Sequence, residues 1–120
     1  MAEEMMQNEY EIVEIAKSCA RVLDEKKAMN SILMDLRKIN SYLDYFIITT
    51  GNSQIHCKSL AKEIRNHLIS KGLKERNKPD TSSGWIVLDF NEIIVHIFTE
   101  DMKEYYQLDK LWADAESISY

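Results

Sequence analysis

Glycine, proline and cysteine are scarce in this chain of 120 residues, which contains three Gly, one Pro and two Cys. So little Gly and Pro leaves little room for flexible linkers, and a chain of this length suits one domain around a single hydrophobic core. Cys19 and Cys57 are too far apart for a local metal knuckle, and both lie at the spacing of a helical apolar face. We therefore expect buried, reduced thiols and no metal site.

Positive charge is also in deficit, with 15 Lys and Arg against 20 Asp and Glu and a formal net charge of −5. This balance argues against a protein that itself neutralises many nucleic-acid phosphates, and it favours a basic protein as partner. No apolar run is long enough to cross a membrane, and the first residues are acidic where a signal peptide is basic. We expect a cytoplasmic protein with no membrane partner and no direct nucleic-acid readout.

Helical and strand-like patterns alternate along the chain. They predict a helix at 9–27, strands at 31–37 and 45–50, a helix with an apolar stripe from Cys57 to Leu68, an edge strand at 73–77, a loop at 78–84, a hairpin at 85–98 and a helix beyond Thr99. This order predicts a single α/β domain with a mixed, about five-stranded sheet flanked by helices. We expect a flexible N-terminus at 1–8, the domain at 9–114 and a C-terminal tail at 115–120.

The hairpin is the most informative segment, with the sequence GWIVLDFNEIIVHIF at 84–98. Asn91 and Glu92 suit a tight turn, because Asn tolerates a positive φ. With that turn, Phe90 faces Ile93, and side-chain alternation then produces one fully apolar face. This face is predicted to lie against the core; it comprises Ile86, Leu88, Phe90, Ile93, Val95 and Ile97.

The other face of the hairpin mixes apolar and polar side chains, namely Trp85, Val87, Asp89, Ile94, His96 and Phe98. Trp85 lies opposite Phe98, and Asp89 is diagonal to His96. Such a face requires a covering, supplied either by the protein's own helix or by a partner. Trp85 follows a predicted surface loop and is therefore the residue expected to reach the surface, where a large aromatic marks a binding site.

Catalytic and phosphate-binding interpretations find little support. Asp89 and His96 lack a Ser or Cys nucleophile in a recognisable pattern, so they are interpreted as a structural or interface pair. The segment TGNS at 50–53 lies where phosphates meet helix N-termini, but it matches no nucleotide-binding motif and is interpreted as a turn with a helix cap at Asn52 or Ser53.

The C-terminal segment YYQLDKLWADAE admits two interpretations. Tyr105, Leu108, Leu111 and Trp112 have helical spacing, which predicts a stripe packed on the sheet. Alternatively, Glu104, Tyr106 and Asp109 face outward beside Trp85 and form a contact surface.

Three segments together resemble the ribosomal silencing factor family, also called RsfS or Iojap. They are DYFIITTGNS at 44–53, GWIVLDFNEIIVHIF at 84–98 and EYYQLDKLW at 104–112, and the resemblance spans about residues 10–114. It implies a nucleotidyltransferase-like fold, a homodimer when free, no cofactor and no catalytic residue. It also implies binding of the large ribosomal subunit through ribosomal protein L-fourteen, which blocks joining of the small subunit and represses translation under nutrient limitation.

Partner-binding residues follow from the resemblance and the hairpin faces together. Trp85, Asp89, His96, Tyr106, Leu108 and Trp112 match positions characteristic of the family. The residues expected to bind the partner are Trp85, Asp89, His96, Phe98, Glu104, Tyr105, Tyr106, Leu108 and Asp109.

Two alternative functions remain at this point. One is a metal-dependent nucleotidyl- or phosphoryl-transfer enzyme, since the implied fold is shared with such enzymes. That chemistry requires paired carboxylates after the Gly-Ser turn, and no D-x-D or D-x-E follows Gly51 and Ser53 on a strand. The other is an assembly factor for the large subunit that uses the same surface earlier.

Overall fold

A computed structural model of the chain describes residues 2–39, 42, 44–106, 110 and 115–120, with side chains for these residues except 2–10 and 106. The described elements follow the order α1 (Ala2–Glu25), β1 (Met29–Asp35), β2 (Tyr45–Gly51), α2 (Gln54–Ser70), β3 (Trp85–Asp89), β4 (Ile93–Thr99), α3 (Glu100–Tyr106) and β5 (Glu116–Ser117). The domain is of the mixed α/β class that the sequence predicts.

The five strands form one sheet in the order β3-β4-β2-β1-β5. Strands β2 and β4 are parallel, and the chain between them passes through α2 and then β3; the other neighbours are antiparallel. Strand β2 is central and buried along its whole length. Its run of β-branched and aromatic residues is typical of a strand covered on both faces.

The main hydrophobic core lies between one face of the sheet and the helices α1 and α2. The predicted apolar face of the hairpin is entirely within it, since Ile86, Leu88, Phe90, Ile93, Val95 and Ile97 are all 0% exposed. The stripe predicted for α2 is also confirmed, with Cys57, Leu60, Ile64 and Leu68 buried. Both cysteines are free and buried, and burial raises the pKa of the Cys19 thiol to about 12.

A second, smaller core lies on the opposite face of the sheet. It contains Met34, Leu36, Phe46, Ile48 and Phe98. Met102 of α3 packs against it. This second face carries the polar residues of the hairpin, so it positions the candidate site.

The strand predicted at 73–77 is wrong. No strand is assigned there: the segment reaches the edge of β3 through the bond from Arg76 N–H to the Asp89 carbonyl at 2.8 Å, which does not continue into a ladder. The Glu75 side chain pairs with α2, where Arg65 Nε donates to Glu75 Oε2 at 2.6 Å. The fifth strand is β5, inside the segment 115–120 that we expected to be a tail. It pairs with β1 through Met34 and Asp35.

The helix predicted at 9–27 begins earlier, at Ala2, and ends at Glu25. Among the described helices, none is long and apolar enough to cross a membrane.

Candidate functional site

The hairpin has the register that the sequence predicts. Asn91 adopts φ +70° in the turn, the Phe90 N–H donates to the Ile93 carbonyl at 3.0 Å, and Trp85 pairs with Phe98. Because side chains alternate across strands, Trp85, Val87 and Asp89 share the second face of the sheet with Ile94, His96 and Phe98. This part of the prediction is confirmed by the strand pairing.

Four rings form an aromatic cluster on this face: Phe46, Trp85, His96 and Phe98. Trp85 stacks on Phe98 with ring centroids 5.2 Å apart and planes inclined by 22°. His96 contacts Phe46 with centroids 4.7 Å apart. Offset stacking of this kind adds to the stabilisation from burial alone, so the Trp85 ring is held in one orientation.

His96 is the polar centre of the aromatic cluster. The Trp85 indole Nε1–H donates to His96 Nδ1 at 3.0 Å. Because the indole N–H can only donate, Nδ1 must be the accepting nitrogen, and the proton of the neutral imidazole is on Nε2. Burial lowers the pKa of His96 from 6.5 to about 4, so the ring is neutral at pH 7.

The Nε2 atom of His96 is buried and has no hydrogen-bond partner among the residues that the structure describes. Thr50 Oγ1, on the same face of the sheet, is also buried without a hydrogen-bond partner among the described residues. Buried polar groups without partners are rare in native proteins and each costs free energy. Among the described residues, the hydrogen-bonding groups buried on the second face are therefore less completely paired than those of the main core.

Asp89 does not pair with His96, which corrects the pairing inferred from the sequence. Its carboxylate Oδ1 instead accepts the backbone N–H of Asn91 at 2.9 Å, and so stabilises the hairpin turn. His96 pairs with Val87 across the hairpin. Trp85 and Asp89 lie two residues before and two residues after Val87, so both are diagonal to His96. The indole reaches the imidazole, whereas the short Asp side chain is engaged by the adjacent turn.

The remaining predicted site residues differ in accessibility. Trp85 is half-buried, Phe98 is fully buried, and Tyr105 is 79% exposed on α3 beside the exposed Glu104. Tyr105 therefore does not pack on the sheet as the predicted helical stripe requires. The Tyr106 side chain, Leu108 and Asp109 of the predicted site lie outside the described residues, as do Leu111 and Trp112.

Helix α3 carries three exposed acidic side chains and lies close to the start of the hairpin. Glu100, Asp101 and Glu104 are exposed. The helix lies close to the hairpin because Thr99 N–H donates to the Gly84 carbonyl and Met102 packs over Gly84. The acidic helix α3 thus lies close to the end of the hairpin that carries Trp85.

Phe46 is the member of the aromatic cluster that sequence reasoning missed. Its position in β2 indicates burial, but its place next to Ile94 of β4 depends on a parallel pairing between distant segments. Local sequence carries no signal for that register. The even-numbered residues of β2 share one face of the sheet, so alternation along β2 indicates that Phe46 and Ile48 lie on the same side.

The segment TGNS forms a turn and helix cap, as interpreted from the sequence. Ser53 is the N-cap of α2, and its hydroxyl accepts the His56 backbone N–H at 3.1 Å. His56 Nδ1 in turn accepts the Asn52 backbone N–H at 3.0 Å. Over the described part of the chain, no group of three or more His, Cys, Asp or Glu side chains is arranged to hold a metal ion.

Comparison with known families decides the identity. Residues 9–120 match the model of RsfS, described as ribosomal silencing factor during starvation. The chain belongs to this family. The ribosomal silencing factor RsfS of Bacillus subtilis is 32% identical over 102 residues, which cover 84% of this chain and 86% of that protein. The RsfS of Halalkalibacterium halodurans is 28% identical over 106 residues, covering 88% and 91%.

Solved structures agree with the RsfS assignment at the level of the fold. A crystal structure of a Chromobacterium violaceum protein superposes with a TM-score of 0.80 at 26% identity and covers 91% of each chain. A Bacillus halodurans protein superposes with a TM-score of 0.73 at 25% identity, covering 92% of this chain and 99% of that one.

Proposed function

We propose that this RsfS family member binds the large ribosomal subunit through ribosomal protein L-fourteen and sterically blocks joining of the small subunit, which represses translation when nutrients are limiting. The protein acts in the cytoplasm by occupying a surface, with no catalytic step and no cofactor, and it is a homodimer when free. Membership of the RsfS family is the observation that carries this proposal.

The surface around Trp85 suits this task. Its indole is stacked on Phe98 and hydrogen-bonded to His96, so little side-chain freedom remains to be lost when a partner binds. Large, pre-ordered aromatic side chains dominate the energetics of protein interfaces. Trp85 is therefore proposed as the centre of contact.

The acidic rim of α3 supplies charge complementarity to a basic ribosomal protein. Glu100, Asp101 and Glu104 are exposed on α3, whose Met102 packs over Gly84, the residue before Trp85. Charges at the rim of an interface chiefly raise the association rate and fix the orientation of the partner. Glu104 and Tyr105 are proposed contacts on this rim. Phe98 and His96 support the Trp85 ring from beneath, and Asp89 fixes the turn.

The test is cosedimentation of purified protein with purified large subunits in sucrose gradients. We expect Trp85→Ala to weaken association by about 2 kcal/mol or more, which corresponds to about 30-fold in Kd. The matched control is Ile55→Ala, because Ile55 is a large apolar residue that is 82% exposed on α2. Unchanged cosedimentation of a folded Trp85→Ala variant would remove Trp85 from the site.

A role in assembly of the large subunit is the second candidate. The chain is 26% identical over 99 residues to a mouse protein named mitochondrial assembly of ribosomal large subunit protein 1, covering 76% of this chain and 42% of that one. Depletion of the protein from growing cells distinguishes the two. Accumulation of incomplete large subunits favours assembly, and complete subunits that join too readily during starvation favour silencing.

A further inference from the structure

Strand β3 is an edge strand, and part of its outer side is open. It is the first strand in the sheet order, and β4 is its one neighbour in the described sheet. The Phe90 N–H donates to the Ile93 carbonyl, and the Thr99 N–H donates to the Gly84 carbonyl. In an antiparallel pair the backbone groups of alternate residues point to the partner strand. Even-numbered residues of β3 therefore bond to β4, and odd-numbered residues point outward.

Two contacts bound the open part of this edge. At one end, the Ser83 hydroxyl donates to the Trp85 carbonyl at 2.7 Å. At the other end, the Arg76 backbone N–H donates to the Asp89 carbonyl at 2.8 Å, which confirms that odd-numbered residues face outward.

The N–H and C=O of Val87 and the N–H of Asp89 lie between these contacts. They have no hydrogen-bond partner within the described residues. Val87 is 37% exposed, so the residue at the middle of this edge reaches solvent. An unpaired edge of this kind is a template for a further strand.

We propose that an extended, basic segment of a partner protein adds to the sheet as a sixth strand along Val87, in antiparallel pairing with β3. This inference rests on the proposed function, because it specifies how the ribosomal partner is held at the Trp85 surface. One partner residue exchanges two hydrogen bonds with Val87, and the residue two positions earlier in the partner strand accepts from Asp89 N–H.

Charge favours a basic occupant, because the net charge of the chain is −5 and the exposed Glu100, Asp101 and Glu104 follow the hairpin on α3. The loop that precedes β3 carries both signs, with Asp80 beside the exposed cations Lys74, Arg76 and Lys78, so the basic side chains of the occupant belong at the α3 end of the edge. A strand added at β3 also places its alternate side chains next to Trp85 and Val87, because these two share one face. Backbone bonds then supply affinity, and the Trp85 surface and the acidic rim supply specificity.

A proline at position 87 tests this inference. Val87→Pro removes one outward N–H that the fold does not use, and proline is tolerated on edge strands when its nitrogen faces away from the sheet. We expect Val87→Pro to weaken association with purified large subunits about tenfold or more, since a partner carbonyl loses its donor. Val87→Ala keeps the N–H while truncating the same side chain, so the tenfold loss is measured relative to Val87→Ala, and equal binding of the two variants would contradict a role for the N–H.

Hydrogen exchange of the unchanged protein supplies a second measurement that requires no variant. In the free protein we expect fast exchange at Val87 and Asp89 and slow exchange at Ile86 and Leu88, because only the latter amides are paired with β4. Adding purified large subunits should slow Val87 and Asp89.

The outcomes separate the two proposals. If the unchanged protein does not bind large subunits, both fail. If it binds while Val87→Pro binds equally well and Val87 remains unprotected, the added strand is wrong and the proposed function stands. Protection of Val87 that rises with protein concentration in the absence of subunits means that a second copy occupies the edge, which overturns the inference.

Discussion

The neutral, buried imidazole of His96 makes the stability of the protein depend on pH. His96 is 6% exposed, and burial lowers its pKa from 6.5 to about 4. Between these two values the unfolded chain binds a proton that the folded chain does not. The free energy of unfolding is therefore highest above about pH 6.5 and falls as the pH decreases toward 4.

The magnitude follows from the size of the pKa change. At about 1.4 kcal/mol per pKa unit, protonation of the unfolded chain removes about 3 kcal/mol of stability by pH 4 and about 2 kcal/mol by pH 5. This is a large fraction of the 5–15 kcal/mol typical of small domains. Because the ring is almost completely buried, little solvent screening reduces the effect.

The assay is urea unfolding at several values between pH 7.5 and about pH 4.5, compared with the variant His96→Phe. Phenylalanine retains a ring against Phe46 and Phe98 and does not titrate. His67, whose pKa is lowered by burial and by Lys71, gives a change of the same sign but is present in both proteins. Equal pH slopes for the two proteins would show that His96 does not cause the loss of stability.

Two further predictions concern the scaffold. Gly51→Ala places a Cβ 2.6 Å from Cys57 Sγ and 3.1 Å from the Cys57 backbone nitrogen, so we expect a loss of about 1–3 kcal/mol in urea unfolding. The exposed Ser59→Ala on α2 should change stability by less than about 0.5 kcal/mol, and an equally small effect at Gly51 would contradict the close packing. Deleting residues 116–120 removes β5 and the 3.2 Å bond from the Tyr120 hydroxyl to the Ser31 carbonyl. The deletion should lower stability by about 2 kcal/mol, and an unchanged melting temperature would make the segment a dispensable tail.

Local patterns were sufficient to predict the hairpin. A strict period of two on both sides of Asn91 fixes the register, because a slip by one residue would turn Ile86, Leu88 and Phe90 from the core to the opposite face. The N-cap at Ser53 was predictable for a similar reason, since its bond to His56 N–H spans three residues. Interactions within one turn or one hairpin are visible in sequence.

Long-range pairings were not predictable in the same way. Strand β5 has two residues and is specified by its partner β1. The segment 73–77 has the composition of an edge strand, but its bond to β3 through Arg76 N–H does not continue into a ladder. The bond between Trp85 and His96 was missed because two side chains lie diagonal to His96, and sequence alone does not rank them. The length of each side chain and the local hydrogen bonds that compete for it determine which of the two reaches His96.

In the proposed function, this protein on the large subunit excludes the small subunit. The direct measurement is formation of whole ribosomes from purified subunits, resolved on sucrose gradients with increasing amounts of this protein. We predict that whole ribosomes decrease as the protein appears in the large-subunit peak, and that Trp85→Ala restores them. Saturated large subunits that still join small subunits normally would contradict the claim.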